Sequence, residues 1–167
     1  KWGEYKLKKG ESYIQNLYVD SDCACIEFLP QSFNRGVVGY PEISYGVSPW
    51  GGTDHSGVFP LKITDIKTLT STYDVNMVIQ PKKYNLTYDL WLINSKINTA
   101  SNIMHEIMIW EDRNIAKPFG KHIETINTSF GKYNVYHGYM DRSKEKLGVN
   151  GWFFTAFVRV DRRRSGM

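Results

Sequence analysis

Residues 105–112 read HEIMIWED. Successive side chains of a β-strand point to opposite faces. Glu106, Met108 and Trp110 therefore share one face, and Ile107 and Ile109 share the other. The isoleucines read as core. The carboxylate, thioether and indole read as the floor of a solvent-facing cleft. The stretch YDLWL at 88–92 repeats the arrangement, with Asp89 and Trp91 on one face and Tyr88, Leu90 and Leu92 on the other. The residues between the two stretches are enough to close an antiparallel pair. That pairing predicts Asp89 and Glu106 as neighbours across the ladder, with facing Cβ atoms about 5 Å apart. Two carboxylates that close push their pKa values apart, which is one way to set up acid–base chemistry. An exposed alternating strand with two solvated acids gives the same letters.

Strand signals recur on both sides of this pair. Alternating β-branched and aromatic runs occupy 12–19 (SYIQNLYV), 23–29 (CACIEFL), 84–93, 103–111, 122–128, 132–140 (KYNVYHGYM) and 151–160. Two more strands are predicted within 66–80. A turn is predicted at Pro30–Asn34. The run 37–46 (VVGYPEISYG) reads as a strand placed at an edge or bulge by Pro41. Residues 48–60 read as a loop, and 141–147 (DRSKEKL) as a polar turn too short for a stable helix. Many short strands with turn residues between them predict an all-β fold, an antiparallel sandwich or jelly roll.

Composition limits the function classes. The chain has 167 residues, with 11 Tyr, 8 Phe and 5 Trp. Flat rings in that number suit a β-sandwich, and a surface that grips sugars. The net charge of +4 is spread along the chain apart from Arg162, Arg163 and Arg164. No motif of a nucleic-acid-binding fold accompanies it, so the reading is a mildly basic surface without a nucleic-acid partner. No apolar run is long enough to span a membrane, and no signal peptide precedes Lys1, so the chain reads as mature or trimmed. Cys23 and Cys25 read as small buried hydrophobes with free thiols, too few for a metal site. His55, His105, His122 and His137 do not converge in the sequence, and no metal or cofactor is expected.

Taken together, these stretches resemble glycoside hydrolase family 12, the compact jelly-roll endoglucanases. GYPEISYG at 39–46 followed by Pro49-Trp50 resembles the bacterial and archaeal branch. Asn16-Leu17-Tyr18 stands where the family has Asn-Leu-Trp. YDLWL and EIMIW match the two strands of the catalytic cleft, and KYNVYHGYM and WFFTAFV the next two. The resemblance implies a concanavalin-like jelly roll with a concave cleft, secreted and monomeric, acting on a β-glucan polysaccharide. It implies endo-hydrolysis of β-1,4-glucosidic bonds with retention of configuration. Glu106 matches the nucleophile and Asp89 the carboxylate beside it. Trp91, Met108 and Trp110 match the sugar-binding floor. Asn16 and Tyr18 match contacts at a far subsite, and Tyr40, Tyr45 and Trp50 aromatic positions along the cleft.

A retaining hydrolase needs a second carboxyl group as acid and base. In the family it lies on a strand after the one matching WFFTAFV. Here the sequence departs from the family at about Arg162 and ends at Met167. Residues 1–167 therefore read as one β-sandwich domain without its C-terminal strands. Glu111 is expected to point away from Glu106, Glu124 and Glu145 to be peripheral, and Glu42 to be structural or a sugar contact. The alternative is a carbohydrate-binding sandwich that keeps the cleft without hydrolysis.

Overall fold

The computed structural model describes residues 3–6, 12–19, 23–32, 40–49, 57–77, 83–97, 99–144 and 150–166. The chain divides into two compact units, Lys1–Ser44 and Tyr45–Met167.

In the first unit β1 (Gly3–Lys6), β2 (Ser12–Val19) and β3 (Ala24–Ser32) form an antiparallel sheet in that order. β3 runs through Pro30, where a turn is expected from the sequence, and Pro30 pairs with Tyr13. An edge strand tolerates the missing N–H. Cys23 and Cys25 are free, as expected, but exposed rather than buried. Residues 40–46 form no strand, against expectation, because Pro41 lacks a donor and Gly46 sits at φ +97°. Positions 33–34 and 37–39 of the expected turn and strand lie outside the described residues.

The second unit is built on a five-stranded sheet of order β5-β6-β9-β8-β7. Its strands are β5 (Tyr84–Ile93), β6 (Ile103–Asn114), β7 (Lys121–Thr128), β8 (Gly131–Asp141) and β9 (Gly151–Arg159). The sheet is mixed, since β6 and β9 run parallel at its centre. β6 reaches that position because Ile115–Gly120 cross over β9 and β8 before β7 begins. Within 66–80 the described residues form only β4 (Tyr73–Asp74), which pairs with β10 (Ser165–Gly166).

The parallel register puts Glu106 beside Phe154, Met108 beside Ala156 and Trp110 beside Val158. Trp110, Ala116, Phe154, Ala156 and Val158 form a core cluster, with Met108, Tyr136 and Met140 packed against it. The face read as a wet floor is thus the more buried one, and Ile107 and Ile109 on the other face are only half-buried. The crossover that packs on the former face accounts for its burial. Ala116 packs into the cluster, and Phe119 lies edge-on to Phe154 at 5.8 Å. Gly120, at φ +86°, passes so near the next strand that a Cβ would meet the His137 carbonyl oxygen at 2.5 Å.

Glu111 and Asp112 end β6 in a bulge, both almost fully buried. Glu111 accepts hydrogen bonds from Tyr133 at 2.7 Å and Tyr73 at 3.2 Å, and pairs with Arg159 at 3.3 Å and Arg163 at 3.2 Å. Asp112 takes Arg164 at 2.6 Å and the Tyr84 hydroxyl at 2.9 Å. Arg163 and Arg164, part of the C-terminal basic triplet, are thereby neutralised by buried acids.

Two stability predictions follow from these features. Ile115 holds φ +57° while 64% exposed. That backbone costs a β-branched residue about 1–2 kcal/mol, and asparagine tolerates it. Ile115→Asn is expected to raise Tm by about 2–4 °C in a thermal melt. Burial pushes the Asp112 carboxyl up, but the Arg164 and Tyr84 hydrogen bonds outweigh it and hold the pKa low. Its contribution is present above the ordinary carboxyl range and lost as pH falls through the lowered value. Asp112→Asn should therefore lower Tm by several degrees at pH 7, with a gap to the parent that narrows towards pH 3.

Candidate active site

The β5·β6 register decides which side chains meet. Trp91 stands opposite Glu106, and Asp89 stands opposite Met108. Asp89 is thus diagonal to Glu106 on the same face, rather than directly facing it as expected. Irregularities at Leu86/Thr87 and Leu92/Ile93 set this register, and alternation along either strand alone cannot reveal it. Asp89 is exposed, whereas Glu106 is 8% exposed.

Glu106 is gripped from β9. The Trp152 indole N–H donates to its Oε2 at 2.7 Å. Trp91 meets Trp152 edge to face, with centroids 5.6 Å apart, and the Arg142 guanidinium lies 5.2 Å over the Trp152 ring. Glu106 is therefore held by one indole, which is itself flanked by a second indole and a cation. Met108, half-buried, accepts the Trp110 indole N–H at 3.4 Å. Trp110 is buried in the core cluster rather than open as a floor residue.

The other expected contacts fall in both units. Asn16 and Tyr18 share one face of β2 in the first unit, the former 9% and the latter 57% exposed. Tyr40 belongs to that unit and Tyr45 to the second, and both are largely exposed. Tyr45 leans edge-on to Phe59 at 5.5 Å. Trp50 lies outside the described residues. A cavity of about 410 Å³ opens beside Trp152, lined also by Ile103, Met104, Tyr139 and Phe153, and Glu106 is not in its wall. No group of three or more metal-ligating side chains occurs among the described residues.

The family model described as Glycosyl hydrolase family 12 matches residues 2–158. The chain belongs to glycoside hydrolase family 12. Endoglucanase S of Pectobacterium parmentieri is 30% identical over 167 residues, which cover 95% of this chain. The chain spans 58% of the length of that relative. A family 12 xyloglucanase from Bacillus licheniformis superposes with a TM-score of 0.72 at 23% identity, covering 99% of this chain and 76% of that one. An endoglucanase from Rhodothermus marinus gives a TM-score of 0.64 at 19% identity, covering 99% of this chain and 74% of that one. These likenesses bear out the all-β jelly-roll fold class.

Within this family 12 chain, two residues that hold Glu106 escape reading from the sequence. Trp152 and Arg142 lie 46 and 36 positions away, on or beside strands whose register with β6 is non-local. WFFTAFV marks a strand but not its neighbour.

The electrostatics of Glu106 have an opposed sign. Burial pushes its carboxyl above the usual range, while the Trp152 hydrogen bond and the Arg142 charge pull it back. Burial wins, so the folded state holds the Glu106 proton to higher pH than the unfolded chain does. Stability is then lost as pH rises from the ordinary glutamate value through the raised one. Glu106→Gln keeps the shape and an acceptor for the Trp152 N–H. It is expected to melt higher than the parent at pH 8, with the difference closing near pH 4, as followed by thermal denaturation.

Proposed function

We propose that this chain carries the nucleophilic half of a retaining endo-β-1,4-glucanase site, with Glu106 as the nucleophile. The observation that supports this reading best is the clamp on Glu106. Its Oε2 is fixed by the Trp152 indole at 2.7 Å, with Trp91 directly opposite on β5. The other oxygen, Oε1, attacks the anomeric carbon, and the glycosidic C–O bond breaks as a second carboxyl group, not assigned among these residues, gives its proton to the leaving oxygen. A covalent glycosyl-enzyme forms, and water then cleaves it with net retention. The nucleophile must be ionised, so activity rises with pH beyond the ordinary glutamate value.

Asp89, diagonal to Glu106, supports the nucleophile's charge and orientation. Trp91 and Met108 contact the sugar, and Trp110 backs Met108 from within the core. Asn16, Tyr18, Tyr40, Tyr45 and Trp50 are assigned as further sugar contacts from the family resemblance alone, with Tyr18 at a far subsite. The acid–base role is not given to Glu111, which is occupied by its four donors. Nor is it given to Glu42, an exposed residue whose Oε1 accepts the Ser44 hydroxyl at 3.0 Å. The substrate is a β-glucan polymer, cellulose or a related chain. Such a polymer does not cross a membrane, so the protein acts outside the cell.

A second reading is a glucan-binding sandwich without hydrolysis. It is favoured by the register, which places Trp91 rather than a carboxylate directly opposite Glu106 and leaves Asp89 diagonal and exposed. Release of the phenol from an activated aryl cellobioside, whose leaving group needs no general acid, separates the two. The hydrolytic reading expects release by the parent and a loss of at least about a thousandfold in Glu106→Gln. No release, with tryptophan fluorescence still quenched by cellohexaose, selects the binding reading. Neither release nor quenching contradicts both.

A further inference from the structure

The β2–β3 hairpin places a third polar side chain on the face that carries Asn16 and Tyr18. Asn16 pairs with Glu27 and Tyr18 with Cys25, so Glu27 shares that face. The Asn16 amide donates from Nδ2 to Glu27 Oε2 at 2.7 Å, and the Tyr18 hydroxyl reaches the same oxygen at 3.4 Å. Glu27 is itself exposed.

The orientation of the Asn16 amide is fixed by chemistry. Only the NH₂ end can face a carboxylate, which is acceptor-only when ionised. Oδ1 must then point the other way. It is enclosed, in a side chain 9% exposed, and accepts no hydrogen bond. A buried carbonyl oxygen without a donor is rare, and it marks a place where a ligand hydroxyl fits. Glu27 Oε2 is occupied by Asn16 and Tyr18, while Oε1 takes no bond from either. Three features thus converge: an orphaned acceptor, an exposed carboxylate with one oxygen that neither neighbour uses, and a half-exposed tyrosine.

We propose that Glu27 is a sugar-binding residue, which with Asn16 accepts hydrogen bonds from adjacent hydroxyls of a glucosyl unit stacked on Tyr18. The assignment rests on the glucan-binding reading above and adds a residue to it. Adjacent equatorial hydroxyls present two donors side by side, and a hydroxyl on an ionised carboxylate makes the stronger kind of hydrogen bond. The C–H face of the same ring lies on the phenol. The negative charge of Glu27 raises the Tyr18 pKa, with desolvation adding to it, so the phenol stays protonated and donates to Glu27. The site selects for free hydroxyls, since an etherified oxygen has no proton to give.

Titration calorimetry of cellohexaose into the parent and Glu27→Gln at pH 7, with Tm recorded for both, tests the assignment. The amide keeps the size of the side chain and an acceptor for Asn16, but removes the charge. The expected result is about tenfold weaker binding with Tm unchanged. Affinities equal within about twofold overturn the assignment while leaving the glucan reading in place. A loss of affinity matched by a fall in Tm also overturns it, because that marks a structural role. A parent that binds no cellohexaose overturns both.

Discussion

Two carboxylates buried side by side at the end of β6 are the constraint on which the second unit depends. A buried charge is tolerated only when it is paired and hydrogen-bonded. Glu111 and Asp112 satisfy that condition by recruiting groups from β4, β5, β8, β9 and the segment leading into β10. Tyr73, Tyr84 and Tyr133 bring hydroxyls, and Arg159, Arg163 and Arg164 bring charge. The phenols carry the imprint of that packing. Burial and the Glu111 charge push the Tyr73 hydroxyl up to about 12. The acids therefore tie strands distant in sequence to one strand end, and that strand carries Glu106.

From that anchor the environment of Glu106 follows by register. The parallel β6·β9 pairing at the centre of the sheet brings β9 beside Glu106, and with it the Trp152 indole that holds Oε2. The β5 ladder brings Trp91 opposite. Among the described residues the indole fixes one oxygen of Glu106 and leaves the other without a partner, and burial raises the cost of its charge. On the proposed reading, that burial also strengthens the attraction of the ionised carboxylate to positive charge developing at an anomeric carbon.

Much of this was legible in the alternation of single strands. YNLTYDLWLI coincides with β5, and SYIQNLYV with β2, because each alternates cleanly between turn residues. Which strands pair was legible for β5 and β6, whose antiparallel pairing was expected, though not in this register. The pairing of Asn16 with Glu27 across β2 and β3 was not read from the sequence. Likewise Glu106 and Phe154 are neighbours through a parallel contact that no local pattern encodes. That Trp91 rather than Asp89 stands opposite Glu106 is a matter of register, which leaves no mark on hydrophobic period. Trp110 is more buried than the wet-floor reading expects for a related reason: parity assigns a face but not the crossover that packs on it. The basic triplet reads as surface in the sequence, and only the fold shows Arg163 and Arg164 reaching buried acids.

The measurement that tests the central assignment most directly is covalent trapping of the nucleophile. A 2-deoxy-2-fluoro cellobioside with a good leaving group slows the hydrolysis of a glycosyl-enzyme more than its formation. Intact mass followed by peptide mapping then locates the adduct. A single 2-fluorocellobiosyl group on Glu106, absent from Glu106→Gln, is the result predicted here. An adduct on another carboxylate, or no adduct in a preparation that releases reducing sugar, contradicts it.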